Sequence, residues 1–419
     1  MAVVVIILVA VMVWRSRPIQ NKPQVLPDGT VLTLVQVDYG KTNVFYAGNW
    51  FQKTFRRWIP KDGIGIADFR LMPPNEIYRT ESENDGLVFW AEGKASFASL
   101  HSDQGSWLTN SKAIIFNELG DEYPVVLGRP GAVYDRDFSW NWEITAFPRN
   151  GKTVGLRLLH NTETNGWQTL AEFITRNPTP GPHNNWTAES MPMVKTSGNL
   201  MFELKDLRVG KGLSGNPNEG DVMAARAIFN VTDNGKDSEA WAPGPVTMSE
   251  GNGNYYETRA SQVEKTNSGT IWEFYNTLNP KEAWRLKIGF VRTRDFPFQE
   301  LCEFKNLPII PVAGTNTIRH KNVGQTTIDL QIAQSGSPWV NLNSPNIPKD
   351  RWIKLVKFVG DSGEVVEIDG VGSPNGLGSQ IPTNQLKGSK TFNLTVAVTK
   401  PVYVEFTAKP TLTTNAPGR

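Results

Sequence analysis

At 419 residues, the chain is long enough for about two to four domains that each bury a core. Its composition, with 39% hydrophobic residues and 14 Trp, excludes an intrinsically disordered protein. The formal net charge of +2 and the lack of a long Lys/Arg run give no strong field for a polyanion, so we expect no nucleic-acid partner.

The first predicted element is apolar and short. Residues Ala2 to Trp14 are all apolar, and Arg15 and Arg17 follow. A helix of this length reaches only about 20 Å, which is less than the roughly 30 Å of a hydrocarbon core. We therefore expect residues 1–21 to form an anchor and linker that contacts the membrane through residues 1–14 and begins upstream of Met1. A cleaved signal peptide and a buried apolar strand are the alternatives.

A turn and a long strand come next. The sequence Leu-Pro-Asp-Gly-Thr at Leu26–Thr30 is a turn signature, because Pro presets one turn dihedral and Asp-Gly allows the reversal. From Val31 to Tyr39 apolar residues recur at every second position, which predicts a strand.

These residues resemble a family of uncharacterised, predicted membrane-anchored bacterial proteins that open with a short hydrophobic helix. The family has a Leu-x-Asp-Gly-Thr-x-Leu motif, here Leu26–Leu32, and then a Tyr-Gly pair, here Tyr39-Gly40. The run Phe147-Pro148-Arg149 is also similar to a run in that family. The resemblance extends to about Pro180 and implies an exported, anchored protein, with domains facing the periplasm or the cell exterior. It implies no particular activity and no catalytic residue.

Three later stretches share one pattern, namely Trp142–Pro178, Trp272–Pro308 and Trp352–Pro410. In each, alternating apolar residues follow the Trp, and a Glu-Phe pair and a Pro come later. Such alternation places one face of a strand on a core, and the Pro removes a backbone donor and ends the strand. The Phe residues of the three pairs are expected to be equivalent core positions: Phe173, Phe304 and Phe406.

The pattern of elements predicts the fold class. Short strands, Gly/Pro turns and the lack of a helical apolar stripe after Trp14 predict a mainly β chain of tandem Ig-like or fibronectin-like β-sandwich domains that follow an N-terminal hydrophobic helix. A Pro/Gly cluster at Pro178–Pro182 marks one linker. The predicted sandwiches cover residues 22–180, 181–311 and 312–419.

Two motifs are candidates for catalysis or cofactor binding. Asp135 and Asp137 are two residues apart on a predicted strand, so both carboxylates lie on one face, as glycoside hydrolysis requires of paired acids. Solvation of a strand end is the alternative role for them. Gly210–Gly215 matches G-x-G-x-x-G, but Asn216 and Pro217 follow and prevent the helix that a dinucleotide site needs. We therefore expect no cofactor.

Oxygen ligands for a metal are concentrated in one turn. Asp233, Asp237 and Glu239 supply oxygen ligands for a weak calcium site, although they lack the register of an EF-hand loop. A polar turn is the alternative, and no metal is otherwise expected.

Four Trp residues lie in loop-like sequence, where their rings are able to stack on sugars or to lie at a membrane surface. They are Trp50, Trp58, Trp186 and Trp241. Packing of these rings against their own loops is the alternative.

Together these patterns favour a membrane-anchored, extracytoplasmic protein that acts as a non-catalytic interaction or structural module. The alternative is a carbohydrate-binding protein or carbohydrate-active enzyme that uses the loop Trp residues and the Asp135, Asp137 pair. The partner, a protein or a glycan, is not specified by the sequence.

Overall fold

The computed structural model confirms a mainly β chain built from packed, mostly antiparallel sheets. It describes residues 22–47, 64–66, 69–71, 75–94, 111–125, 128–134, 137–162, 166–181, 183–211, 213, 223–266, 268–275, 278–309, 317–335, 337–368, 372–374 and 376–413. Within these ranges, no helix has both the length and the apolar character that a membrane crossing requires. The predicted anchor, residues 1–14, lies outside the described residues.

The described residues divide into two compact units. The first unit comprises those up to Trp186, together with Ser249–Tyr256 and Thr277–Glu282. The second unit comprises Thr187–Met248, Glu257–Asn276 and the residues from Ala283 onwards. Two short segments from the middle of the chain therefore belong to the first unit, which no sequence pattern indicated.

The first unit is a sandwich of two antiparallel sheets. Its strands are β1 (Gln24–Val25), β2 (Val31–Ala47), β3 (Ile64–Ile66), β4 (Phe69–Leu71), β5 (Asn75–Lys94), β6 (Ser111–Phe116), β7 (Glu122–Val125), β8 (Gly128–Tyr134), β9 (Asp137–Ile144), β10 (Thr153–Thr162) and β11 (Gly166–Arg176). One sheet has the order β1-β2-β5-β9-β8 and the other has the order β11-β10-β6-β7, while β3 and β4 pair with each other.

The alternation in β10 explains how these sheets pack. Val154, Leu156 and Leu158 are fully buried in the shared core of the two sheets. Arg157 lies between them on the opposite face, where its Nε donates to Glu172 Oε2 at 2.9 Å. The period of two that the sequence predicted for this strand is therefore confirmed.

The second unit contains two further pairs of sheets. Its strands are β12 (Met193–Ser197), β13 (Leu200–Lys211), β14 (Met223–Asp233), β15 (Lys236–Asp237), β16 (Trp241–Glu250), β17 (Tyr255–Arg259), β18 (Ser261–Thr266), β19 (Gly269–Tyr275), β20 (Trp284–Arg292), β21 (Leu301–Pro308), β22 (Thr317–Val323), β23 (Thr326–Ser335), β24 (Ser337–Asn343), β25 (Trp352–Gly360), β26 (Val365–Glu367), β27 (Leu377–Gln380), β28 (Thr391–Thr399), β29 (Val402–Ala408) and β30 (Thr411–Thr413). The last two residues of β16 and the first two of β17 belong to the first unit. A 3-10 turn at Phe298–Glu300 precedes β21.

The second sandwich of the chain packs β12-β13-β14-β19-β18 against β17-β16-β20-β29, and β15 and β30 extend the first of these sheets. Aromatic rings fill the space between the sheets. Phe290 of β20 lies 4.4 Å from Phe202 and 5.8 Å from Phe229 between ring centroids. Phe406 of β29 lies 6.1 Å from Phe229 and completes this core.

The third sandwich packs β21-β28-β25-β26 against β22-β23-β24-β27. Its core includes Phe304, Leu330, Leu342, Phe358 and Phe392, which are all buried. Because β20 and β29 pair in the second sandwich, the third sandwich is an insertion between these two strands. The second and third sandwiches are therefore nested in the sequence.

Strand pairing corrects one sequence interpretation. Phe173, Phe304 and Phe406 are all buried, as predicted. However, the strand of Phe304 pairs with β28 of the third sandwich, and the strand of Phe406 pairs with β20 of the second. The assignment of Phe304 to a second repeat and of Phe406 to a third is therefore wrong, because strand partners are chosen by the tertiary fold and not by the local pattern.

Candidate functional site

The structure describes only part of the set of residues proposed for catalysis and stacking. Asp135, Trp50 and Trp58 lie outside the described residues. Asp137 begins β9, where its backbone is opposite Lys94 and Tyr134. The catalytic pair therefore stays a prediction.

The two described Trp candidates lie in different units, and both are half-buried. Trp241 begins β16 in the second unit, and the guanidinium carbon of Arg292 lies 4.8 Å from its ring centroid. One face of this ring is thus covered by a cation of the same chain. Trp186 lies at the boundary of the first unit.

The metal candidates lie around a tight hairpin. Asp233 is opposite Lys236 where β14 turns into β15, and Asp237 is exposed one residue later. Glu239 forms ion pairs with Lys265 and, at 3.5 Å, with Arg294. In the described ranges, no three His, Cys, Asp or Glu side chains are grouped so that they are able to hold a metal ion. The three acids are thus distributed between a polar turn and surface ion pairs.

One buried and highly connected polar group of the first unit was not predicted. Asn254 is fully buried, and its side-chain amide pairs with the backbone of Phe147 as a neighbouring strand would. Its Nδ2 donates to Phe147 O at 2.9 Å, and Phe147 N donates to its Oδ1 at 3.2 Å. A side-chain amide that satisfies both backbone groups of a buried residue removes a large desolvation cost.

The same amide also connects two buried charged residues. Arg149 Nε donates to Asn254 Oδ1 at 2.9 Å, and Asn254 Nδ2 donates to Glu250 Oε2 at 2.8 Å. The amide dipole therefore points its oxygen at the cation and its nitrogen at the anion. We call this Arg149, Asn254 and Glu250 arrangement the amide bridge. Such alignment stabilises both charges without direct contact between them.

Each charged end of the amide bridge has further partners. Arg149 Nη1 donates to Tyr39 Oη at 2.8 Å, and its guanidinium lies 4.5 Å from the centroid of the Phe147 ring. His183 Nε2 is 3.2 Å from the backbone oxygen of Arg149. Tyr39, Phe147 and Arg149 belong to two of the three motifs that carried the family resemblance, so residues that are far apart in the sequence meet at one site.

Glu250 accepts hydrogen bonds on both carboxylate oxygens. Tyr123 Oη donates to Oε2 at 3.1 Å, and Asn252 Nδ2 donates to the same oxygen at 2.8 Å, in addition to Asn254. The backbone N–H of Asn279 donates to Oε1. Four donors from three segments of the chain thus surround one carboxylate that is 1% exposed.

Burial controls the protonation of this carboxylate. Removal from water raises the pKa of Glu250 to about 7, with a smaller raising contribution from Glu282, while the hydrogen bonds from Asn254, Asn279 and Asn252 oppose the rise. The pKa of Glu282 is itself raised by partial burial and by Asp121, and His183 lowers it. The pKa of Tyr123 is raised for the same reason of burial beside Glu250. The cluster therefore holds an acid that titrates near neutral pH.

The local sequence explains how Glu250 and Asn254 reach this position. Glu250 N donates to Asn254 O at 2.9 Å, and Asn254 N donates to Asn252 Oδ1 at 2.8 Å, which closes a tight loop. A Cβ atom on Gly251 would stand 1.6 Å from the backbone oxygen of Asn184, so only glycine fits there. The run Gly251-Asn252-Gly253-Asn254 was a visible turn signal, but it did not reveal its partners.

Comparison of the chain with protein-family models, with curated proteins and with solved structures finds no match. The chemistry of the cluster must therefore be judged from its own geometry. Its acid has a shifted pKa, as catalytic acids often do. However, it accepts four hydrogen bonds from its own chain and is almost without solvent exposure. This arrangement is typical of a structural polar network.

Proposed function

We propose that the protein is a membrane-anchored, extracytoplasmic β-sandwich protein that acts as a non-catalytic interaction or structural module. The absence of catalysis in this proposal is supported by Glu250, whose carboxylate oxygens are fully occupied by hydrogen bonds from its own chain. A general acid or base needs a reacting group within hydrogen-bond reach. Glu250 instead directs both oxygens at four donors of its own chain.

The anchored location is supported by the sequence. The apolar run from Ala2 to Trp14 provides a membrane-seeking segment, and the resemblance described above implies export. Tandem sandwiches with short connections are a common architecture for exported modules that present surfaces to partners. This part of the proposal places all described sandwiches outside the cytoplasm.

A pair of fusions tests the location. Alkaline phosphatase joined after Arg419 is expected to be active, because the enzyme folds only outside the cytoplasm, whereas a cytoplasmic fluorescent reporter at the same position is expected to be dark. The opposite result would contradict the proposed location.

A conservative variant tests the non-catalytic role. Glu250→Gln keeps the shape of the side chain and removes its ability to exchange a proton. We expect the folded variant and the wild type to show the same activity, or the same lack of it, towards glycoside and ester substrates. Loss of a wild-type activity in a folded Glu250→Gln protein would show that the carboxylate is catalytic.

Carbohydrate binding without catalysis is the second candidate function. It is favoured by a separate surface on the third sandwich, where a Trp and several amides share one sheet face. The paired carboxylates Asp135 and Asp137 stay a prediction, because Asp135 lies outside the described residues.

A further inference from the structure

One sheet of the third sandwich has an unusual outer face. In β23 and β24, Ile328, Leu330, Val340 and Leu342 are buried in the core. The residues between them therefore point away from the core, because successive side chains of a strand alternate between faces. These outward residues include one aromatic ring, Trp339, and three amides, Gln331, Asn341 and Asn343.

The strand register arranges the outward residues in three rows. We call them together the amide face. One row aligns His320, Asp329 and Asn343, the next aligns Ile318, Gln331, Asn341 and Gly378, and the last aligns Ala333, Trp339 and Gln380. Four strands at about 4.8 Å spacing and three rows about 7 Å apart give a surface of roughly 14 by 14 Å, which is about three linked sugar rings in length.

Four amides on this face have donors and acceptors that no other described residue uses. Within the described part of the chain, no hydrogen bond engages the side-chain amides of Gln331, Asn341, Asn343 or Gln380. Asn341, Asn343 and Gln380 are exposed, and Trp339 is 39% exposed at the end of the face. Each amide has both donors and an acceptor, so the face presents alternating donors and acceptors beside one aromatic ring.

The backbone at Gly376, beside these amides, carries no side chain that would cover them. Gly376 directly precedes β27, the strand that pairs with β24. A Cβ atom on Gly376 would lie 2.4 Å from Asn343 Oδ1, and its φ of +115° is one that residues other than glycine rarely adopt. The end of the neighbouring strand β27 therefore approaches closely and does not cover the amides.

The charge of the face limits the kind of ligand. Asp329 Oδ1 lies 2.7 Å from His320 Nδ1, and no Lys or Arg belongs to the three rows. By contrast, the opposite sheet of the same sandwich carries Lys305 paired with Glu303 at 3.4 Å. A polyanion such as nucleic acid or an acidic polysaccharide needs cations that the amide face lacks. An electrically neutral ligand rich in hydroxyl groups fits it.

We propose that the amide face binds a neutral oligosaccharide, with Trp339 stacked on one pyranose ring and the amides of Gln331, Asn341 and Asn343 hydrogen-bonded to sugar hydroxyls. Sugar hydroxyls donate and accept, which matches amides better than it matches carboxylates or ammonium groups. The carbon-bound hydrogens of a pyranose present an apolar surface to the face of an indole ring. The inference deepens the proposed interaction role, on which it rests, because it names the class of ligand.

The test is a calorimetric titration of the full chain in detergent with cellohexaose, mannohexaose and xylohexaose, and with an oligogalacturonate as the acidic probe. We expect at least one neutral hexaose to bind, with an affinity that does not change when salt is raised, because screening acts on charged pairs. Binding of the acidic probe alone, or of none of the four, would overturn the inference.

Variants then locate the site. Trp339→Ala is expected to weaken binding at least about tenfold, and Asn341→Ala by a comparable factor. Trp167→Ala is the matched control, since Trp167 is 37% exposed but lies on β11 of the first unit, and its binding should equal that of the wild type. Equal loss in both Trp variants, or no loss in Trp339→Ala, would also overturn the inference. The outcomes of the location fusions and of the Glu250→Gln test do not depend on oligosaccharide binding. Failure of the binding inference is therefore distinguishable from failure of the proposed function.

Discussion

The amide bridge of the first unit and the amide face of the third sandwich use the same functional group in opposite ways. Asn254 is fully buried, and its amide contacts a backbone carbonyl, a cation and an anion of its own chain. Asn341 and Asn343 are exposed on a sheet surface. The set of partners, and not the residue type, therefore separates a structural amide from one available to a ligand.

Loss of hydrogen-bond partners costs more at the buried amide than at the exposed ones. A buried polar group that loses its partners keeps its full desolvation cost, whereas an exposed one exchanges its partner for water. The amide bridge should therefore control stability, and the amide face should affect binding with little effect on stability.

The largest expected effect comes from breaking the amide bridge. Asn254→Ala leaves Glu250, Arg149 and both backbone groups of Phe147 without their amide partner. Because all of these groups are buried and Arg149 is charged, we expect a loss of about 3 to 5 kcal/mol in the free energy of unfolding of the first unit. Urea denaturation followed by Trp fluorescence measures it.

A neighbouring variant serves as the control for this loss. Asn252 is only half-buried, and its side chain makes two hydrogen bonds: Nδ2 donates to Glu250 Oε2 at 2.8 Å, and Oδ1 accepts the backbone N–H of Asn254 at 2.8 Å. Asn252→Ala should therefore cost only about 1 to 2 kcal/mol. If the two variants were equally stable, the bridging role of Asn254 would be wrong.

Variants in the cores of the three sandwiches test whether each sandwich is destabilised separately. Phe173 lies in the first unit, Phe304 in the third sandwich beneath the amide face, and Phe406 in the second sandwich. Each Phe→Ala change should cost about 3 to 5 kcal/mol, because it opens a cavity in a packed core. Limited proteolysis should show new cuts in the matching sandwich, and Phe406→Ala should expose residues between 193 and 292 in addition to its own strand.

The neighbouring acids test whether the strand faces are assigned correctly. The side chains of Glu172, Glu303 and Glu405 are 37%, 40% and 53% exposed. Their Ala variants should change stability by only about 0.5 kcal/mol. Acid variants as damaging as the Phe variants would contradict the observed alternation.

The titration of Glu250 gives an intermediate effect that depends on pH. Below the unfolded pKa of 4.5 the carboxyl is protonated in both states, so it does not contribute. As pH rises from 4.5 to the folded pKa of about 7, the unfolded chain loses its proton first, and the folded state is destabilised by up to about 3 kcal/mol. Glu282, whose pKa is also raised, acts in the same direction.

Glu250→Gln should remove the Glu250 part of this dependence. The difference in unfolding free energy between variant and wild type should move in favour of the variant by about 3 kcal/mol between about pH 4 and about pH 8. Taking this difference cancels other acids such as Glu118, whose pKa is lowered to about 2 and which acts in the opposite direction. A difference that does not vary with pH would mean that burial does not control this carboxylate.

The smallest expected effect concerns the stability of the amide face. Asn341→Ala and Asn343→Ala remove exposed amides that have no hydrogen-bond partner among the described residues, so each should change the unfolding free energy by no more than about 0.5 kcal/mol. A thermal melt compared with wild type measures this. Larger losses would place these amides with Asn254 as structural groups and would erase the contrast between the two regions.

The fold class and the core faces of single strands were readable from the sequence, because side chains alternate with a period of two in any strand. Leu156 and Phe173 are buried where the alternation predicted them. The turn at Asp28 was also readable, since the Asp28 carboxylate accepts the backbone N–H of Thr30 at 2.9 Å, a contact between residues two apart.

Partners that are distant in the chain were decided by the tertiary structure alone. A local period places Phe304 and Phe406 on core faces, but it carries no information about which sheet their strands join. In the same way, Gly251-Asn252-Gly253-Asn254 specifies a turn, while the contact of Asn254 with Phe147 joins residues 107 positions apart. Burial of the amide bridge and of Glu250 exists only after those distant segments have packed together, because desolvation depends on the whole fold around a group and not on its neighbours in the chain.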